Sequence, residues 1–159
     1  MIANWKNEMK KVLAAATLSA FAFAAHADCA ITSVRDNNIS NNFKAHGGWT
    51  IDIAKFNQIC EKLNRANARI QINAQSTVLV NQSVAWAVLT VVDRDTSIGT
   101  GDFATMTTQV NNYASQDKAD AMMVAAINEA ALNWNDLDKA LASLENERKK
   151  VREAFSKKK

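Results

Sequence analysis

The sequence gathers acidic side chains in one polar segment, where they could bind a cation or exchange a proton with a substrate. Asp93, Asp95 and Asp102 form this candidate ligand loop. Carboxylate oxygens are the ligands that calcium prefers, and a pair of carboxyl groups can act as acid and base in glycoside hydrolysis. The EF-hand spacing fails, because Ile98 and Ala104 stand where the glycine and the bidentate glutamate belong. A solvated hairpin loop explains the same residues without any ligand.

The amino-terminal residues have the three-part composition of a secretory signal peptide. Two lysines precede a short apolar run that ends in an A-x-A motif at residues 25–27. We expect translation to start at Met9, residues 1–27 to form the signal peptide, and the exported chain to begin at Asp28. The apolar run is shorter than the about 20 residues that cross a bilayer. The sequence therefore predicts a periplasmic or secreted protein without a transmembrane anchor.

The two cysteines of the sequence, Cys29 and Cys60, both follow the predicted leader. Cysteines in even number usually pair in an oxidising compartment, and the C-x-x-C spacing of many reactive thiols is absent. Closing a loop of about 30 residues stabilises a fold by about 3–4 kcal/mol in the chain-entropy description. The sequence thus predicts a structural disulfide that ties the start of the exported chain to its first helix.

Histidine is scarce in the part of the chain that would be exported. The sequence holds two histidines, His26 within the leader and His46 just before two glycines and Trp49. A lone histidine excludes acid–base pairs built from two, and a zinc site is not expected without further histidine or free cysteine ligands. We assign no catalytic residue, metal or cofactor, and interpret His46 as an exposed loop residue that could join a ligand site.

Hydrophobic periodicity predicts an α+β domain. A helical repeat covers residues 50–67, with Thr50 or Asp52 as the N-cap. Alternating apolar and polar residues then predict a three-stranded antiparallel meander, with a break near Ser76. Its strands are expected at residues 70–80, 84–92 and 103–110. The polar, asparagine-rich residues 30–50 are expected to be irregular and to close with a turn at the two glycines.

A long amphipathic helix is predicted from residue 115 to the carboxyl terminus, in the same domain as the body at residues 28–114. Its apolar residues follow a coiled-coil heptad, interrupted once by Arg148. The helix either breaks at Asn133–Asp136 and folds back, or continues and projects from the body, and the unbroken register favours the continuous form. The predicted interaction seam on its distal part consists of Leu137, Leu141, Leu144, Val151 and Phe155.

The formal charge of the sequence, +3 at pH 7, reflects mainly the leader and a basic tail at residues 145–159. The element order matches that of double-stranded RNA-binding domains. However, the last helix opens with Asp117 and Asp120, where phosphate contacts require lysines. We therefore expect no nucleic-acid partner. The tail itself is either a solvated helix end or a weak contact for an anionic surface.

The few catalytic groups and the helical seam together favour a non-enzymatic function. We expect a periplasmic protein that works by protein–protein contact, as an adaptor, inhibitor or chaperone-like factor, or that forms a homo-oligomer through its C-terminal helix. Two alternatives stay open on the candidate ligand loop. One is a small hydrolase or glycan-acting enzyme that uses Asp93, Asp95 or Asp102, and the other is a ligand- or calcium-binding module.

Overall fold

The computed structural model of the protein describes residues 30–157. The predicted leader, its cleavage site and Cys29 lie outside the described residues, so the hypotheses that concern them stay predictions. The elements in chain order are β1 (Ser33–Val34), α1 (Asn37–Ala45), α2 (Ile53–Arg65), β2 (Ala68–Leu79), β3 (Gln82–Asp93), β4 (Gly99–Asn111), α3 (Gln116–Leu132) and α4 (Leu137–Ser156).

The four strands form one sheet in the order β1-β2-β3-β4. β2, β3 and β4 are the predicted antiparallel meander, and β2 and β3 stay in register from end to end. β1 is short and pairs with β2 in parallel. The α+β class and the meander are thus confirmed, while the expected break near Ser76 is wrong because that residue pairs with Ala85 inside the ladder.

The first predicted helix is α2, and its cap decides where it begins. The Asp52 carboxylate accepts a hydrogen bond from the backbone N–H of Lys55 at 2.9 Å, which satisfies one of the free donors of the first turn. Ile59, Cys60 and Leu63 then fall on one side of the helix and are buried. The amphipathic repeat therefore identified both the helix and its buried face.

The expectation that residues 30–50 are irregular is wrong, because β1 and α1 lie within them. The Asp36 carboxylate caps α1 by accepting from the backbone N–H of Ile39 at 2.8 Å. Ile39 and Phe43, one helical turn apart, are buried in the core, and the asparagines occupy the other sides of the helix. The predicted turn follows at Gly47 and Gly48, which adopt positive φ angles of 90° and 67°.

The C-terminal helix is broken, so the favoured continuous form is wrong. α3 ends at Leu132 and α4 begins at Leu137. Trp134 lies between them with only 3% of its surface exposed. Its indole Nε1–H donates to the carbonyl oxygen of Phe103 at 2.9 Å. Turning this ring into the core interrupts the helix, and α4 then packs on β4 and β3 instead of projecting.

The helices cover one face of the sheet, which we call the inner face. A single core joins residues from all four helices to alternate residues of β2 and β3. The inner-face residues of β3 have no exposed surface; they are Ala85, Ala87, Leu89 and Val91. Their neighbours on the opposite, outer face are only half-buried. None of the helices within residues 30–157 is long and apolar enough to span a membrane.

Candidate functional site

Asp93 of the candidate ligand loop ends β3 and is 6% exposed. Its Oδ1 accepts hydrogen bonds from the backbone N–H and the hydroxyl of Thr96, both at 2.6 Å, and from the backbone N–H of Asp95 at 3.0 Å. An aspartate that bonds to the backbone two and three residues ahead stabilises a tight turn. The Asp93 carboxylate therefore stabilises the turn at the start of the β3–β4 loop.

The second carboxylate oxygen of Asp93 is occupied by Arg148 of α4. The Nη2 and Nε atoms of Arg148 lie 2.5 Å and 2.8 Å from Oδ2. The same guanidinium donates to the carbonyl oxygens of Ala66 and Asn67, each at 3.0 Å. Arg148 thus joins α4 to the end of β3 and to the turn between α2 and β2. The sequence signal for this role was a charged residue within an otherwise apolar heptad.

The environment of Asp93 favours its ionised form. The hydrogen bond from the Thr96 hydroxyl is the largest cause that lowers the pKa of Asp93 far below its usual range. The backbone N–H groups of Thr96 and Asp95 and the guanidinium of Arg148 act in the same direction, while burial opposes them. A general acid must hold its proton near the working pH. Asp93 therefore has the electrostatics of a structural ion pair and not those of a proton donor.

The other two carboxylates of the candidate ligand loop point to separate partners. Asp95 Oδ2 accepts from the side-chain amide of Asn67 at 2.7 Å. Asp102 Oδ2 accepts from the hydroxyl of Ser143 on α4 at 2.8 Å. Within residues 30–157 no group of three or more His, Cys, Asp or Glu side chains is arranged to hold a metal ion. The loop therefore links structural elements in three places and does not gather its oxygens at one point.

His46 follows α1 and lies beside the first turn of α3. Its Nε2 is 4.0 Å from Asp117 Oδ1, at the outer limit of an ion pair, and the Asp117 side chain is 91% exposed. A partner so fully hydrated contributes little to orientation. The His46 side chain is 22% exposed, so it is half-buried and not the exposed loop residue that the sequence predicts, and its contact is with α3.

The predicted interaction seam is mostly buried within the domain itself. Leu137 and Leu144 are 2% and 0% exposed, and Leu141 packs against the same core. Val151 lines a shallow cavity of about 400 Å³ beside Arg148. Phe155 is 70% exposed. The proximal part of the seam thus attaches α4 to the sheet, which leaves Phe155 as its exposed end.

The basic tail carries its charges next to carboxylates. Lys150 Nζ lies 2.6 Å from a carboxylate oxygen of Glu147, and Arg152 Nη2 lies 2.8 Å from one of Glu145. Lys149 is paired more loosely with Glu153, at 3.9 Å. The pairs at three- and four-residue spacing typically stabilise the surface of a helix. Residues 145–159 contain seven Lys and Arg against three Glu, so the tail keeps a net positive charge.

The outer face presents an apolar array that the helices do not cover. In the sheet register, Trp86 lies between Gln75 and Thr108. Met106 and Val110 are 69% and 60% exposed. The outer-face array consists of three rows across β2, β3 and β4: Asn73–Val88–Met106, Gln75–Trp86–Thr108 and Thr77–Val84–Val110.

The outer-face array lies in the uncharged part of the chain. Residues 70–92 and 103–116 contain no Asp, Glu, Lys or Arg. β3 is apolar on both of its faces, a pattern typical of a strand that is buried on both sides. The helices bury only its inner face. The apolar outer face of β3 is therefore a sequence signal for a second contact surface.

The comparisons with known proteins add little to this geometry. No family model matches the chain, and no curated protein matches it. Among solved structures, the chain is similar to a protein of Caulobacter crescentus CB15 described as a "putative lipoprotein", with 10% sequence identity and a TM-score of 0.24. The match covers 60% of this chain and 94% of that one. At this TM-score the likeness carries no argument about function.

Proposed function

We propose that this chain is an exported protein that works by protein–protein contact, as an adaptor, inhibitor or chaperone-like factor. The observation that carries the proposal is the outer-face array, where β3 presents Val84, Trp86 and Val88 half-buried on the face opposite the core. The start of α1 reaches only its β2 side, where Asp36 and Asn38 line a cavity with Trp86. A contiguous apolar surface with a tryptophan at its centre is typical of protein interfaces. The contact surface is thus the sheet, and the seam of α4 serves mainly the core.

The chemistry of the array defines the kind of partner. A charged group brought onto the β3 and β4 part of the array would lose water and find no charged residue within residues 84–92 and 103–111. On the β2 side, Asp36 of α1 lines a cavity with Trp86. The partner therefore presents an apolar patch with few charges. Asn73 and Gln75 form the β2 end of two rows of the array, and their amides can donate and accept hydrogen bonds there.

Export and the disulfide belong to the same proposal. The leader-like residues 1–27 support export. The pairing of Cys29 with Cys60 is supported by Arg94, whose Nη2 donates to Thr32 Oγ1 at 3.3 Å and to Asn64 Oδ1 at 2.7 Å. Thr32 and Asn64 each follow one of the two cysteines within four residues. The start of the described chain is therefore held beside the helical turn that carries Cys60.

The hydrolase and calcium-binding alternatives have no comparable support. Asp93 Oδ1 and Oδ2 accept four hydrogen bonds, from Thr96, Asp95 and Arg148, and Oδ2 also makes an ion-pair contact with Arg148 Nη2. A carboxylate has about four lone-pair sites, so little capacity is left for a metal or a substrate. The outer-face array has no such internal partners. The geometry thus favours a binding surface over a reaction centre.

Two matched substitutions test the contact surface. Met106 of the outer face and Phe155 of α4 are 69% and 70% exposed, so Met106→Glu and Phe155→Glu place a charge at equal exposure on the two competing surfaces. The wild-type full chain is crosslinked in its native envelope and the attached proteins are identified by mass spectrometry. We expect Met106→Glu to remove the wild-type crosslink and Phe155→Glu to retain it. The opposite result would place the contact on α4 and overturn the proposal.

A further inference from the structure

β4 is an edge strand, and only part of its edge is protected. It pairs with β3, and within residues 30–157 no strand lies on its other side. An open edge presents unpaired N–H and C=O groups that can bind another strand. Natural edge strands are usually guarded by lysine, proline, a bulge or a covering element. The two halves of β4 differ in this respect.

The first half of β4 is guarded by a bulge. The register moves from Leu89↔Thr105 to Val91↔Thr100, so four residues of β4, 101–104, face the single residue Thr90. Within the bulge, the Phe103 carbonyl accepts from Trp134 and the Asp102 carboxylate from Ser143. Helix contacts and irregular geometry therefore make this half unsuited to pairing.

The second half of β4 has no bulge, proline or charged residue. Its contacts with α3 are made by inner-face side chains, Thr105 with the Ala130 carbonyl and Gln109 with Glu129. Residues 105–111 keep an unbroken register with β3 from Leu89↔Thr105 to Ser83↔Asn111. Their sequence, Thr-Met-Thr-Thr-Gln-Val-Asn, contains no charge, proline or glycine. The side chains on the outer face of this segment, Met106 and Val110 among them, are exposed. This half of the edge has the length and flatness of a pairing strand.

We propose that residues 105–111 pair antiparallel with the same residues of a second copy of the chain, with Thr108 opposite Thr108. This register places Met106 opposite Val110 of the second copy, so an apolar cross-strand pair forms twice on the outer face. No charged residue opposes another, because the segment has none. The two sheets become one eight-stranded sheet with a continuous outer face.

We assign the free edge of β4 to a second copy of the chain because residues 105–111 are complementary to themselves. In the Thr108-centred register, polar inner-face residues also meet polar residues, Thr107 opposite Gln109 and Thr105 opposite Asn111. A closed two-fold contact of this kind pairs the β4 edges of both copies, and closed symmetry of this type is the commonest arrangement of soluble homo-oligomers. The pairing uses the backbone edge of β4, whereas the proposed function uses the outer face, and Met106, Thr108 and Val110 belong to both. The two proposals are therefore distinguished by separate measurements, the oligomeric state of the purified protein and the identity of the crosslinked partner.

A charge substitution tests the pairing. Thr108→Lys would place two ammonium groups opposite each other on the two-fold axis, whereas Thr77→Lys adds the same charge to an exposed outer-face position on β2. Analytical ultracentrifugation of the purified full-length protein should show a dimer for the wild type and for Thr77→Lys. For Thr108→Lys the dissociation constant should rise by at least about tenfold. A monomeric wild type at tens of micromolar, or an unaffected Thr108→Lys dimer, overturns the proposal.

A cysteine substitution tests the register without disturbing the fold. Residues directly opposite in an antiparallel pair have Cα atoms about 4.5–5.5 Å apart, within reach of a disulfide. Mild oxidation should crosslink Thr108→Cys into a covalent dimer and leave Thr77→Cys monomeric on a denaturing gel. A dimeric protein in which Thr108→Cys fails to crosslink overturns the register. A monomer that still loses its partner with Met106→Glu would overturn the pairing and leave the proposed function intact.

Discussion

The guanidinium of Arg148, in the middle of α4, lies 2.5 Å from the carboxylate of Asp93 at the end of β3. Both side chains are largely buried, with 13% and 8% of their surfaces exposed. The pair unites two features that were separate in the sequence, the acidic loop and the charged interruption of the heptad. It accounts for both features as parts of one contact that fastens the last helix to the sheet.

Removing one partner of this ion pair should destabilise the fold. Arg148→Met would leave the Asp93 carboxylate buried beside an apolar side chain and remove the guanidinium donor of the Ala66 carbonyl. The Asn67 carbonyl would keep its bond from the backbone N–H of Arg94. We expect the free energy of unfolding to fall by about 3 kcal/mol, as measured by urea denaturation. Arg152→Met is the control, because Arg152 is 63% exposed and should have almost no effect. Equal losses in both variants would contradict a special role for Arg148.

Because the pKa of Asp93 is lowered in the folded state, the free energy of unfolding should depend on pH in the acidic range. A carboxyl group whose pKa is lower in the folded state than its unfolded value of about 3.9 stabilises the fold above that value. This contribution is lost as the pH falls through the lower, folded pKa. We expect the unfolding free energy of the wild type to decrease below about pH 5 more steeply than that of Asp93→Asn. Parallel curves for the two proteins would show that other carboxyl groups dominate.

The fold was predictable where one face of an element is apolar and the other polar. α2, β2 and β4 follow such a pattern, and the Asp52 cap confirms the start of α2. The prediction failed at Trp134, which fits the heptad equally well in a continuous helix and in a buried turn. Only the position of the Phe103 carbonyl, set by the bulge in β4, decides between them. That contact joins distant parts of the chain and leaves no periodic signal.

Trp134 should contribute both packing and a hydrogen bond to the helix break. Trp134→Ala removes a side chain that is only 3% exposed and should lower the free energy of unfolding by about 3–5 kcal/mol. Trp134→Phe keeps most of the ring but leaves the Phe103 carbonyl without its donor, and a loss of about 1–2 kcal/mol is expected. Leu132→Ala, at a 44% exposed position nearby, provides the reference. A Trp134→Phe protein as stable as the wild type would show that the hydrogen bond is replaced by water.

The candidate site was harder to predict than the fold. A carboxylate has the same sequence signature whether it binds calcium or an arginine, so the use of Asp93 depends on where α4 packs. The outer-face array carried a better signal, since apolar residues on both faces of β3 require two covering layers. The sequence could not show which face of β3 is left uncovered, because this depends on all four helices packing on the same face of the sheet. Only the assembled domain reveals the uncovered side.

The predicted disulfide between Cys29 and Cys60 can be tested through the folding reaction itself. Cys60 is fully buried, and its Sγ accepts from the Asn64 side-chain amide at 3.7 Å, so Cys29→Ser is the cleaner substitution. Losing a bridge that closes a loop of about 30 residues should lower the free energy of unfolding by about 3 kcal/mol. A reductant should bring the wild type down to the level of Cys29→Ser and leave the variant unchanged, as followed by urea denaturation. Two titratable thiols in the unfolded, unreduced wild type would refute the bridge.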